Sequence, residues 1–183
     1  FEKELNELGS LRAKADAIRT RLAKSINTKY QENPAYYENF SKRIKEALEL
    51  YKARTITEAE YLAKMRDILE DYRTGKSAIA YPDRIRANVH AQAFYGVLTA
   101  IFSNEKLSVE PDFAAEMALD ITTIIEKHSQ VDWTHNLTIH DRISQDIDDL
   151  FYRYQKERGL VLSFDVIDMI IENVKTVALR RFA

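Results

Sequence analysis

Between Val131 and Tyr154 the apolar residues Ile139, Ile143, Ile147, Leu150, Phe151 and Tyr154 recur at helical steps and share one face. Asp141, Arg142, Gln145, Asp146, Asp148, Asp149 and Arg153 fall between them, so the opposite face is charged and meets water or a partner. Arg142 with Asp146, and Asp149 with Arg153, stand four apart, a spacing that predicts ion pairs along that face. Trp133, the one tryptophan, comes just before the helix. There a large ring can close the end of a core while its indole N–H reaches a carbonyl or water. Trp133, Ile143, Ile147 and Phe151 are therefore the expected structural anchors.

The same reading carries through the rest of the chain. Leu5, Leu8, Leu11, Ala15, Ile18, Leu22 and Ile26 form a long stripe, and Gly9-Ser10 predicts a kink or a separate first piece. Asn33-Pro34 opens a helix to about Lys52 with Tyr37, Phe40, Ile44, Ala47, Leu48 and Tyr51 inward. Tyr36 lies off that stripe, at a core rim or against a partner. Thr57-Glu58-Ala59-Glu60 is a capping box, followed by Leu62, Met65, Ile68, Leu69 and Tyr72 on the buried side and a stop at Gly75. Tyr81-Pro82-Asp83 predicts the start of a fourth helix, with Ile85, Val89, Ala93, Gly96, Val97 and Ile101 on one side and Phe94 and Leu98 on another. Gly96, inside a helix, implies close packing against a neighbour. Pro111 starts a fifth helix with Phe113, Met117, Ile121, Ile124 and Ile125 inward. Gly159 ends the tryptophan helix, and Ser163 caps a last one through Phe164, Ile167, Ile170, Ile171, Val174 and Val177.

Four glycines and three prolines in 183 residues leave too little turn punctuation for a β protein. The expectation is an all-α, single compact domain of about seven helices over residues 1–183. Residues 1–30 form a leading helix that can join an upstream helical domain, and residues 31–183 form the helical core. The chain has no cysteine, which excludes disulfide and thiolate chemistry. No apolar run is long enough for a membrane span, and the opening Phe1-Glu2-Lys3-Glu4 is not a signal peptide, so no membrane partner is expected. The absence of an initiator methionine suggests an excised domain.

Net charge is −2, but it is unevenly placed: residues 1–54 carry 12 Lys and Arg against 8 Asp and Glu, and residues 111–183 carry 8 against 13. Arg12, Arg19, Arg21, Lys42, Arg43 and Lys45 on the basic front, with Arg180 and Arg181 at the end, are candidate contacts for DNA or an acidic partner. The alternative for the same residues is a solvated helix face. Cysteine nucleophiles, a Gly-x-Ser-x-Gly turn and glycine-rich phosphate loops are all missing. His140-Asp141 is the one suggestive doublet, because helical metal phosphohydrolases use such a pair with further ligands, for which His90, His128 and Asp168 are available on paper. Neighbours in a helix diverge by about 100°, so other helices would have to complete the set. No catalytic residues are assigned.

Four motifs in order resemble a known family: Asn33-Pro34-Ala35-Tyr36-Tyr37-Glu38-Asn39-Phe40-Ser41-Lys42-Arg43-Ile44, Ile56-Thr57-Glu58-Ala59-Glu60-Tyr61-Leu62, Ala93-Phe94-Tyr95-Gly96-Val97-Leu98, and Val131-Asp132-Trp133-Thr134 leading into Ile143 to Leu150. From about Lys29 to Val174 the chain is similar to the C-terminal helical region of the motor (restriction) subunit of type I restriction-modification enzymes, EcoR124-like branch. The resemblance implies a bacterial cytoplasmic parent that uses ATP and Mg to translocate double-stranded DNA and cleave it, with those activities and cofactors upstream of this region. It implies no cofactor here. The implied role is assembly with the methyltransferase core of modification and specificity subunits, alongside the upstream helical and motor domains of the same chain, with a contribution to DNA binding. The acids Asp141, Asp146, Asp148 and Asp149 depart from the family's basic pattern after the tryptophan. They point that face towards protein and move DNA contact to the front helices or to Arg180 and Arg181.

Overall fold

The computed structural model describes all 183 residues, and they form eight α-helices and no strand. The all-α class follows from the sequence pattern, with one helix more than seven because Gly9-Ser10 separates α1 (Glu2–Glu7) from α2 (Leu11–Lys29). The Ser10 hydroxyl accepts from the Ala13 N–H at 3.0 Å and opens α2. Next come α3 (Pro34–Lys52) and α4 (Glu58–Thr74). The capping box of α4 is closed in both directions: the Glu60 N–H donates to Thr57 Oγ1 at 3.2 Å and the Thr57 N–H to the Glu60 carboxylate at 2.7 Å. Gly75, at φ +71°, ends the helix. No helix is long and apolar enough to cross a membrane.

The chain divides into two compact units, each with its own apolar core. The first holds residues 1–30 and 36–80. Its core joins Ile18, Leu22 and Ile26 from α2, Phe40 and Ile44 from α3, and Tyr61, Met65 and Ile68 from α4. Tyr61, one position off the predicted stripe, is fully buried because its ring stacks on Tyr51 at 4.7 Å and its hydroxyl donates to Asp16 at 3.3 Å. Leu11, placed on the stripe, is 43% exposed, since α2 reaches the core only from Ala15 onward.

The second unit holds Gln31–Ala35 and residues 81–183. Here the expected fourth helix starts later than Pro82. Asp83–Ile85 makes a single 3-10 turn, and α5 (Val89–Asn104) begins at Asn88, whose side chain accepts from the Ala91 N–H at 2.9 Å. The Gln92 amide donates to the Ile85 and Arg86 carbonyls and so holds the turn apart from the helix. Ile85 is buried from that turn, whereas Val89 faces out. Then come α6 (Pro111–His128), a 3-10 turn at Trp133–His135, α7 (Leu137–Arg158) and α8 (Phe164–Arg181). Phe164, read as inward, is 86% exposed, because burial on α8 starts at Val166.

Helix α5 is apolar on more than one side and packs against both α6 and α8. At Gly96 it meets the Gln31–Ala35 segment so closely that an added Cβ would lie 2.7 Å from the Ala35 Cβ. That atom sits on the backbone and cannot swing away. Gly96→Val should therefore destabilise the unit by about 1–3 kcal/mol, read as a lower denaturant midpoint at unchanged slope. An unchanged midpoint would show that the segment yields freely.

Candidate docking and nucleic-acid contact surfaces

Trp133 is 2% exposed, and its indole N–H donates to the Phe182 carbonyl at 2.9 Å. Two ends of the second unit are thereby joined, one before α7 and one after α8. The Phe182 ring lies 4.3 Å from the His90 ring and stacks with Phe94. Beside it, Arg181 Nε donates to His90 Nδ1 at 3.0 Å while its guanidinium also donates to the Glu32 carbonyl at 2.9 Å. Arg180 Nε donates to the Gln31 side chain at 2.9 Å. Both C-terminal arginines, candidate contacts from sequence, are thus engaged in fastening Gln31 and Glu32 to the end of α8. Burial first, and the Arg181 charge second, hold His90 below its ordinary pKa, with Glu126 opposing weakly.

The histidines of the metal reading are separated and occupied. His140 Nε2 lies 3.1 Å from the Trp133 carbonyl, and His128 Nε2 lies 2.7 Å from Asp146. Asp141 and Asp168 face out, and no three His, Asp or Glu side chains gather as a metal-binding group. Asp146 is also bonded to Lys127 at 3.2 Å, so α6 takes the carboxylate that the i,i+4 spacing assigned to Arg142. The His128 hydrogen bond keeps the Asp146 carboxyl below the usual range. Asp149 likewise accepts from the Gln145 amide at 3.0 Å, and Arg153 lies over the Tyr154 ring. Tyr154 is inward, bonded to Asp120, and burial raises its hydroxyl pKa strongly. Ile143, Ile147 and Phe151 are fully buried as anchors, while Asp141, Asp148 and Asp149 are exposed on the outer face of α7 together with Arg142 and Arg153.

On the first unit the basic residues sort into paired and unpaired sets. Arg12 and Arg19 both approach Asp16, at 3.7 and 3.4 Å, Arg43 pairs with Asp71 at 2.7 Å, and Lys45 lies 3.9 Å from Glu49. Lys24, Lys29 and Lys42 are exposed without an ion pair. Arg21 has no carboxylate partner either, and its guanidinium lies 4.3 Å over the Phe1 ring. Lys3 and Arg73, absent from the sequence-derived set, lie with Arg21 around one cavity. They come from three different helices, so no spacing along the chain could have grouped them.

The architecture is that of an all-α, two-core helical region with open charged faces. A family model described as type I restriction enzyme HindI endonuclease subunit-like, C-terminal, matches residues 1–178, and the chain belongs to this family. The type I restriction enzyme HindI endonuclease subunit of Haemophilus influenzae is 25% identical over 127 residues, covering 69% of this chain. The chain spans 12% of the length of that relative. No solved structure matches. The family is a coarser assignment than the EcoR124-like branch read from the four motifs, and it extends the match to the front helices, which those motifs left out.

Two measurements test the Trp133 end of the unit. Trp133→Ala should cost about 3–5 kcal/mol in folding stability, and a loss near zero would make the ring an interface anchor instead of a core plug. For His90, the folded state resists the proton that the unfolded chain binds near its ordinary pKa of about 6.5. Its contribution is complete above that pH and declines as pH falls towards the lower folded value. Stability lost between about pH 7.5 and about pH 5.5 should shrink in His90→Gln, whose carbonyl can still accept from Arg181. Equal losses in parent and variant would remove His90 from the pH response.

Proposed function

We propose that this region is a non-catalytic assembly module of a type I restriction enzyme's motor subunit, docking that subunit on the methyltransferase core of modification and specificity subunits. Membership of a C-terminal family of endonuclease subunits carries the reading. The parent is then an ATP- and Mg-dependent, DNA-translocating deoxyribonuclease of the bacterial cytoplasm, whose chemistry lies in other parts of its chain. The motifs around Tyr36, Thr57, Gly96 and Trp133 support placing it near the EcoR124-like branch. The open outer face of α7, where Asp141, Asp148 and Asp149 stand among Arg142 and Arg153, offers a charged surface for a protein partner, and its acids repel the like-charged phosphates of DNA.

A second role in DNA contact is supported by the unpaired Lys24, Lys29 and Lys42 of the first unit. Each phosphate neutralised adds about 0.9 to the slope of log affinity against log salt. Arg12, Arg19 and Arg43, held by acids of their own unit, contribute less, and Arg180 and Arg181 are already engaged.

One pair of titrations tests both roles. The region should bind the assembled methyltransferase core, and a motor subunit lacking it should not. Equal binding by the truncated subunit would end the assembly reading. Against duplex DNA at two salt concentrations, changing Lys24, Lys29 and Lys42 together to Glu should weaken binding and flatten the salt slope. An unaltered slope would remove DNA from the proposal.

A further inference from the structure

Unpaired cations of the first unit converge on a cavity of about 580 Å³. Lys3 comes from α1, Arg21 from α2 and Arg73 from the last turn of α4, and none of the three makes an ion pair. Elsewhere in this unit Arg12, Arg19, Arg43 and Lys45 each have a carboxylate within 4.0 Å. Three cations facing one opening, with Glu2 the one acid on its lining, leave a concentrated positive potential that an anion would relieve.

The rest of the lining is largely apolar, made by Leu22, Leu69, the Tyr72 ring and the Phe1 ring on which Arg21 lies. The Ser25 and Tyr72 hydroxyls are 2.6 Å apart and hydrogen-bonded, so they satisfy one another and fix the Tyr72 ring between α2 and α4. The volume lies within the range of about 300–1,000 Å³ usual for small-ligand sites. A bare anion would leave the apolar wall wet. A purely apolar ligand would strip water from three cations and return no hydrogen bond to them. A phosphate joined to a flat ring meets both demands, because guanidinium groups grip phosphate oxygens in pairs while the ring covers the apolar wall.

We propose that this cavity binds a nucleotide, its phosphate held by Lys3, Arg21 and Arg73 and its base laid against Leu22, Leu69 and Tyr72. A free mononucleotide and an unpaired nucleotide of a nucleic-acid strand present the same chemistry. The site goes beyond the assembly role, and its failure would leave the methyltransferase titration unaffected.

The test is calorimetric titration of the chain with inorganic phosphate, AMP and a short single-stranded oligothymidylate. The parent is compared with Arg21→Gln, Arg73→Gln and Lys52→Gln, the last an exposed cation of α3 outside the cavity. At least one nucleotide ligand should bind more tightly than phosphate. Arg21→Gln and Arg73→Gln should each weaken it about tenfold, and Lys52→Gln should leave it unchanged. Binding of AMP identifies a free nucleotide, and binding of the strand alone identifies a nucleotide within nucleic acid. The proposal is overturned if neither binds, if neither exceeds phosphate, or if Arg21→Gln and Arg73→Gln weaken binding no more than Lys52→Gln does. Thermal unfolding monitors the variants, and Arg73→Gln, which gives up no ion pair or ring contact, decides the matter should Arg21→Gln disturb the Phe1 stacking.

Discussion

The hydrogen bond from Trp133 to the Phe182 carbonyl is the constraint on which the second unit's closure depends. A buried indole N–H without a partner would cost its desolvation, about 1–3 kcal/mol, so the end of α8 must stay where Trp133 can reach it. Once Phe182 is fixed, its ring covers His90, and Arg181 is held where it can serve both His90 and the Glu32 carbonyl. The Gln31–Ala35 segment is then anchored at one end by arginine donors and seated at the other on the bare backbone of Gly96. A residue with any side chain at position 96 would push the segment off. Residues far apart in the chain are thereby bound into one core.

Charge is organised on a different principle. Some cations pair with an acid one turn away on the same helix or with one on a facing helix, and such pairs add little stability, about 0–1 kcal/mol. Their effect is to engage cations: Arg43 is paired with Asp71, Arg12 and Arg19 share the single Asp16 carboxylate, and Arg180 and Arg181 are tied to the chain's own amide and carbonyl oxygens. What stays available to a partner is therefore a smaller set than the basic residues of the sequence suggest. On the first unit it includes exposed lysines, Arg54, Arg66 and the three cations of the cavity. On the second it includes the charged outer face of α7, where Asp141, Asp148 and Asp149 stand beside Arg142 and Arg153 and away from the core.

The helices and most of their buried faces were legible because they follow from local rules. Helical periodicity selects the inward residues, and Ser10, Thr57, Pro111 and Ser163 mark starts that the backbone's unsatisfied N–H groups require. Even the Trp133 N–H was assigned its kind of partner in advance, since a buried indole has few alternatives. The failures also have physical causes. Leu11 and Phe164 stand at helix starts that the core does not cover, and the Pro82 start was overruled by Asn88 as cap and by Gln92 bracing the preceding turn. The pairing of Asp146 went to α6 because Lys127 and His128 approach it across the helix interface, and spacing along one helix says nothing about cations on another.

By itself, then, the sequence determined the all-α class, most of the helices and several of their caps, the inward face of α7 and the resemblance to type I restriction subunits, because each rests on residues within a few turns of one another or on ordered motifs. Only the tertiary structure decided which charges are free, that Arg181 reaches Glu32, and that Lys3, Arg21 and Arg73 share a cavity. Those outcomes depend on how helices distant in the chain are brought side by side. Packing of the apolar faces sets that arrangement, and the charged residues record it without encoding it.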